Sequence, residues 1–353
     1  MVSDKRLEEL LDLVISQGGS DLHIFAGGPP MVRIAGVLVS ITKYPALTGE
    51  ETEKILKNIV PEDRWEIFKK NQTIDLSYAH TMGARFRVNG YCVQGSVALS
   101  LRLIPHVIRT FSELNLPPAL EIFTQRKQGF FLAVGPVGQG KSTTLAAMID
   151  RINESRAEHI LTIEDPVEYL FTQKKSLIQQ REVYIDTPNF HTALQSAFRE
   201  DVDVIMVGEM RDYETVSSAV SAAETGHLVL STLHTNNAAQ TIDRIIDMFP
   251  SEQQKQVRLQ LAGSLAGIFS QRLIPRISGG LIPVVELLIN NSAVSTLIRE
   301  GRTHEIDSVI QTSSQEGMIC MDRALADLVR RGEVTVEHAY EHASEPKTFE
   351  TYL

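Results

Sequence analysis

The chain has 353 residues, enough for two or three domains with their own cores, and its 43% hydrophobic and 6% aromatic content is ordinary for a soluble globular protein. A net charge of −10 argues against nucleic acid as a partner unless positive charge is concentrated somewhere. Cys92 and Cys320 are the only cysteines, which excludes a disulfide framework and a cysteine zinc site and fits a reducing cytoplasm. Apolar runs stop well short of the ~18–20 residues a membrane span needs. The opening MVSDKRLEELLDLV carries early acids and no small-residue cleavage pattern, so no signal peptide is expected.

Leu7, Leu10, Leu11, Val14 and Ile15 fall at helical spacing and predict an amphipathic helix ending near Gly18-Gly19. Extended segments follow, DLHIF and MVRIAGVLVSI, parted by Gly27-Gly28-Pro29-Pro30. A polar helical stretch is expected from Thr48 to about Lys70, then two strands, ARFRV and SVALSLRLI, joined through a glycine-containing loop. Pro105, Pro117 and Pro118 punctuate the exit from this α+β region. The expected division is a first domain over 1–108, a linker over 109–118 and a second domain over 119–353. In the second, GFFLAV, HILTI, DVIMV and HLVLSTL are apolar on both faces and alternate with helical segments, the pattern of a parallel sheet covered on both sides. The last hundred residues read as helical.

GPVGQGKS, from Gly135 to Ser142, fits G-x-x-x-x-G-K-[ST] and sits between a strand and a helix, the context of a phosphate-binding loop. Gly135, Gly138 and Gly140 let backbone N–H groups of the loop, with Pro136, Val137 and Gln139 between them, turn toward a nucleotide's phosphates at the positive end of a helix. Lys141 brings a point charge to the outer phosphates, Ser142 a hydroxyl for Mg²⁺, and Thr143 continues the helix start. Hydrolysis also needs carboxylates beside the metal and the water. Glu209, at the end of VIMVGE, is placed for the metal, and EDPVE presents Glu164, Asp165 and Glu168 at a strand tip. A solvated acidic turn is the alternative there. His227 and His234 bracket HLVLSTL, and His234 is placed to sense the γ-phosphate, although structural roles are commoner for single histidines.

From Leu76 through Ser112 there is no Asp or Glu, yet Arg85, Arg87, Arg102 and Arg109 are present. Period-two geometry puts Arg85 and Arg87 on one face, with Arg102 joining them if the two strands pair. Such a face, lacking acids of its own, seeks phosphate or carboxylate unless it is simply solvated. The expectation is that these arginines complete the nucleotide site of a neighbouring subunit in a ring.

The boxes QGGSDLHIFAGGPPMVRIAG, RFRVN, LTIEDPVEY, FREDVDVIMVGEMRDYET, AAETGHLVLSTLHTN and EGMICMDRALADLVRRG give the chain an end-to-end resemblance to the secretion-ATPase superfamily, and within it to type IV pilus retraction ATPases. The resemblance implies a homohexameric ring of subunits, each with a smaller PAS-like N-terminal α+β domain and a RecA-like α/β P-loop ATPase domain. It further implies ATP and Mg²⁺ as cofactors and an inner-membrane platform protein as partner, reached by peripheral docking at the inner face of the cytoplasmic membrane. Carried over by residue, Lys141 and Ser142 bind phosphate and Mg²⁺, Glu209 is the Walker B acid, and Glu168 is the catalytic glutamate with Glu164 as second choice. His227 and His234 form the His box, and Arg85, Arg87 and Arg102 are the arginines that the first domain turns toward nucleotide. The lack of four cysteines is unlike many assembly ATPases, while AVSTLIRE, from Ala293 to Glu300, has Ser295 and Thr296 where retraction ATPases have Arg and Asn. The function implied is pilus retraction. The alternatives are an accessory retraction, assembly or type II secretion ATPase, a RecA-like nucleic-acid motor, and a non-hydrolysing ATP switch.

Overall fold

The computed structural model describes residues 5–34, 36–104 and 107–353, so Pro105 lies outside the described residues. They form two compact units, Met1–Val107 with Pro166–Leu170 and Ile108–Asp165 with Phe171–Leu353.

In the first unit, α1 (Lys5–Ser16) leads into β1 (Gly19–Ile24), β2 (Met31–Ile34) and β3 (Val37–Ser40). Next come α2 (Gly49–Ile59), α3 (Glu62–Asn71), β4 (Thr73–Ala79), β5 (Arg85–Val93) and β6 (Ser96–Ile104). The six strands make one antiparallel sheet ordered β3-β2-β1-β6-β5-β4. Leu7, Leu10, Leu11 and Val14 of α1 are buried in its core, whereas Ile15 lies outside the buried stripe at 38% exposure. The helical stretch expected from Thr48 to Lys70 is two helices. Thr48 and Glu51 cap α2 reciprocally, and Pro61 forces Val60 into an extended conformation that ends it.

The second unit opens with the segment expected as a linker. Residues 109–118 hold a turn in which Thr110 N–H donates to Glu113 Oε2 at 2.7 Å, and Leu116 is buried against the core of this unit. After α4 (Glu121–Thr124), β7 (Gly129–Val134), α5 (Lys141–Ser155), β8 (His159–Glu164), β9 (Leu177–Glu182), α6 (Phe190–Ala197) and β10 (Val204–Val207) follow. They are succeeded by α7 (Tyr213–Glu224), β11 (Leu228–Leu233), α8 (Ala238–Asp247) and α9 (Ser251–Ser264). The sheet has seven strands in the order β13-β12-β7-β11-β10-β8-β9. Its β7 has every residue buried, Phe130, Leu132 and Val134 in one core and Phe131 and Ala133 in the other, as a strand covered on both faces requires.

The last hundred residues correct an expectation. They contain β12 (Leu265–Pro275) and β13 (Leu281–Ile289), an antiparallel hairpin that extends the sheet beside β7, before the helices resume. Its turn carries Gly279 and Gly280 at φ of 91° and 78°, a conformation glycine adopts without strain. The chain then closes with α10 (Ser292–Glu300), α11 (Ile306–Thr312), α12 (Met321–Arg330), α13 (Val336–His342) and α14 (Pro346–Tyr352). Among the described residues no helix is long and apolar enough to cross a membrane.

Candidate nucleotide site

Four parallel strands of the second unit end in step. Val134 of β7 pairs with Leu233 of β11, Ser231 of β11 with Val207 of β10, and Val207 with Ile163 of β8. The register therefore brings the phosphate loop, His234, Gly208-Glu209 and Glu164 to one sheet edge. Ligands in parallel α/β sheets bind at this carboxyl edge, where loops leave the strands and helices begin.

The loop needs its glycines. Gly135, Gly138 and Gly140 have φ of 139°, 79° and 79°, in the region that other residues enter only with strain. A Cβ on Gly135 would stand 2.3 Å from the carbonyl oxygen of Gln271, a clash with backbone that nothing could relieve locally. Gly140 in the left-handed conformation starts α5, so the free N–H groups of a fifteen-residue helix face the loop. Lys141 is buried, and its Nζ donates to the carbonyls of Gly135 and Pro136 at 2.8 Å each. Pro136, Val137, Gln139, Ser142 and Thr143 all lie on this loop or its first helical turn, with Val137 and Ser142 exposed.

His234 bridges two of the expected residues. Its Nδ1 lies 3.3 Å from Lys141 Nζ and its Nε2 lies 3.6 Å from Glu209 Oε2. An ammonium can only donate, so Nδ1 must accept and the ring proton sits on Nε2, toward Glu209. Glu209 also pairs with Arg211. Glu164 is buried at the tip of β8, where its Oε1 accepts from Thr162 Oγ1 at 2.6 Å and from Gln180 Nε2 at 3.2 Å. Among the described residues no cluster of three or more His, Cys, Asp or Glu could hold a metal. Mg²⁺ takes one or two carboxylates or hydroxyls and fills its octahedron with water and phosphate oxygens. The oxygen donors at the site, Ser142 and Glu209, fit it.

His227 does not join this group. It precedes β11, so the strand separates it from the loop by six residues, roughly 20 Å. There its Nδ1 lies 3.0 Å from the carbonyl of Ala222, and its ring stands edge-on to Phe198. Both ends of HLVLSTLH carry a histidine, but a strand has two ends and only one is the ligand edge.

The arginines belong to the first unit. Antiparallel pairing sets Arg87 directly across from Arg102, as the alternation predicts. For Arg102, however, a carboxylate from outside the acid-free segment is at hand, on the neighbouring strand β1. Asp21 of β1 pairs with Arg102 and accepts from its Nε at 2.7 Å. Burial alone would push the Asp21 carboxyl up, but hydrogen bonds from Arg102 and Ser20 outweigh it and hold the group below its usual range. Arg85 donates to Ser77 Oγ at 3.0 Å. Arg87 is half-exposed, and its Nη1 stands 3.9 Å from Oε1 of Glu168, whose segment, Pro166–Leu170, groups with this unit.

Sequence reasoning missed two residues of the second unit, both on the unexpected hairpin. Gln271 of β12 is buried against the phosphate loop, bonded to Thr144 and Gln139. Glu286 of β13 is buried and accepts from the N–H of Ala238, the first residue of α8, at 2.9 Å. Burial raises its carboxyl to about 7, with Asp307 adding repulsion against the bond from Ala238. A serine-glycine-glycine turn between two apolar runs was the available signal.

A strand, a glycine loop with a buried lysine, and an acid and a histidine on neighbouring strand ends define a P-loop ATPase. The model of the family described as Type II/IV secretion system protein matches residues 4–281. The type IV pilus retraction ATPase PilT of Pseudomonas aeruginosa is 43% identical over 97% of this chain and 99% of its own length. The type IV pilus ATPase PilU of the same organism is 40% identical over 95% of this chain and 88% of its own. A crystal structure of the pilus retraction motor PilT with bound ADP superposes with a TM-score of 0.90 at 46% identity, covering 98% of this chain and 99% of that one. The chain belongs to the type II/IV secretion system protein family, among its PilT-type retraction ATPases.

Proposed function

We propose that the chain is the ATP-hydrolysing motor of type IV pilus retraction, a homohexamer that docks at the inner face of the cytoplasmic membrane and acts on the pilus platform protein there. The observation that carries this reading is the run Lys141–His234–Glu209 at the ligand edge of the sheet, in a chain similar along nearly its whole length to a retraction ATPase. The loop N–H groups and Lys141 take the phosphates. Ser142 and Glu209 hold Mg²⁺, which supplies positive charge against the phosphate oxygens when bound. His234, touching both Lys141 and Glu209, reports whether the outer phosphate is present.

Glu168 orients the attacking water, while Glu164 is the buried support for the strand tip. Arg87 supplies charge to the transition state, with Arg85 beside it, and Arg102 is held back by Asp21. The division into a PAS-like domain over 1–108, a linker over 109–118 and a RecA-like domain over 119–353 goes with this reading. So does a working partnership with a paralogous retraction ATPase. An excess of ten negative charges disfavours a nucleic-acid motor.

The test is deletion of the gene with complementation. Loss of retraction-dependent surface motility while surface fibres accumulate, restored by the wild type and not by Glu168→Gln, is expected. Bald cells would mean assembly instead, and DNA-stimulated hydrolysis with steep salt dependence would mean the nucleic-acid reading.

A further inference from the structure

Gln271 occupies a position that the nucleotide chemistry does not itself explain. It lies on β12 one residue beyond Ser270, whose partner Val134 is the last residue of β7, so its side chain stands beside the loop that β7 leads into. The amide is buried and uses both ends. Nε2 donates to the carbonyl of Gln139 at 2.7 Å, and Oε1 accepts from Thr144 Oγ1 at 2.6 Å. The orientation is forced. A carbonyl can only accept, so the nitrogen must face Gln139, and the threonine hydroxyl must then donate. β12 holds Gln139 a second time, through the N–H of Leu273 on its Oε1 at 2.5 Å.

Two loop glycines make room for this residue. The backbone of Gln271 fills the space where a side chain on Gly135 would begin, and its Nε2 would be 2.9 Å from a Cβ on Gly140. The first and last glycines of the motif are thus the seat of Gln271 as well as turns in the loop.

We propose that Gln271 is the positioning residue of the phosphate loop, acting through the peptide between Gln139 and Gly140. In a trans peptide the carbonyl and the N–H point opposite ways. Anchoring the Gln139 carbonyl on β12 therefore turns the Gly140 N–H away from β12, fixing one donor of the loop before nucleotide arrives. Thr144, in the first turn of α5, ties the same amide to the helix whose N-terminus receives the phosphates. This deepens the reading of the loop as a nucleotide site and rests on that reading alone, independent of what the motor moves.

The experiment measures binding of a fluorescent ADP analogue, and kcat and KM for Mg-ATP, on the full chain carrying Gln271→Glu or Gln271→Met. The methionine keeps the length and removes both hydrogen bonds, so nucleotide affinity should fall about 10- to 100-fold at every pH, from the usual cost of orphaned buried polar groups. The glutamate, ionised, sets an acceptor against the Gln139 carbonyl. Protonated, it regains a donor, so its affinity should recover as pH falls while the wild type stays comparatively flat. Circular dichroism at each pH confirms that the folded chain is being compared. Folded methionine variant binding within twofold of wild type, or a glutamate variant whose loss is the same at acid and neutral pH, would overturn the proposal. If wild type binds no nucleotide, the loop reading itself fails. If it binds normally yet drives no retraction, only the motor assignment fails.

Discussion

The cations assigned to nucleotide are held in opposite ways in the two units. Lys141 is buried, with carbonyl partners at 2.8 Å and His234 beyond them, so its position is set by the loop that carries it. Arg87 is half-exposed, and its Nη1 stands 3.9 Å from Oε1 of Glu168, too long for a hydrogen bond. The same contrast runs through the buried acids. Asp21 has a guanidinium beside it that outweighs its burial, whereas Glu286 is pushed toward the neutral form by burial, with Asp307 adding repulsion. A preorganised donor strengthens binding of what is already there. A loosely held one contributes only when something arrives to order it.

The largest test of that difference is Arg87→Ala. Acting as an arginine finger, Arg87 should be worth about 10³-fold in turnover, with ADP affinity within roughly threefold of wild type. Equal losses in binding and turnover would place it with Lys141 instead. Lys141→Ala should weaken nucleotide binding and hydrolysis together, by about 100-fold or more, read by the same two assays.

Glu286→Gln comes next. Its carboxyl is raised by burial from 4.5 to about 7, so the folded state keeps a proton that the unfolded state releases. The stability this contributes is complete below about pH 4.5 and is lost as pH rises through about 7, by at most roughly 3 kcal/mol. Wild-type melting temperature should therefore fall more than that of the glutamine variant between about pH 5 and pH 8. Parallel curves would remove the argument.

Arg102→Ala should show the smallest effect. The guanidinium is largely exposed, so the loss is about 1 kcal/mol, and it concerns stability with turnover little changed. Since Asp21 is held low, that loss should be present at neutral pH and vanish as acid protonates the carboxyl. A turnover defect as large as that of Arg87→Ala would return Arg102 to the nucleotide site.

Much of the second unit was legible because its signals are local. A five-to-six-residue apolar run names a buried strand, and GPVGQGKS names both a turn and its ligand. That Glu209, His234 and Glu164 share one sheet edge follows from the parallel rule, since each lies at the carboxyl end of its strand, whereas the order β7-β11-β10-β8 that makes them neighbours does not. What stayed hidden depends on pairs distant in sequence. Asp21 and Arg102 are 81 residues apart, and Gln271 and Gln139 are 132 apart. No spacing rule connects them. His227 misled for the reverse reason: it lies close in sequence to His234 and at the far end of the same strand.

The hairpin of β12 and β13 leaves a mark that point substitutions do not reveal. Consecutive residues of a strand face opposite sides, so adding or deleting one residue between Gly267 and Gln271 would swing the amide off the loop while leaving composition almost untouched. Between Leu265 and Gly267 the ladder already slips by a residue, and an insertion there has somewhere to go. The chain should thus tolerate changes of length at the foot of this strand and refuse them four residues further on, a boundary drawn by counting.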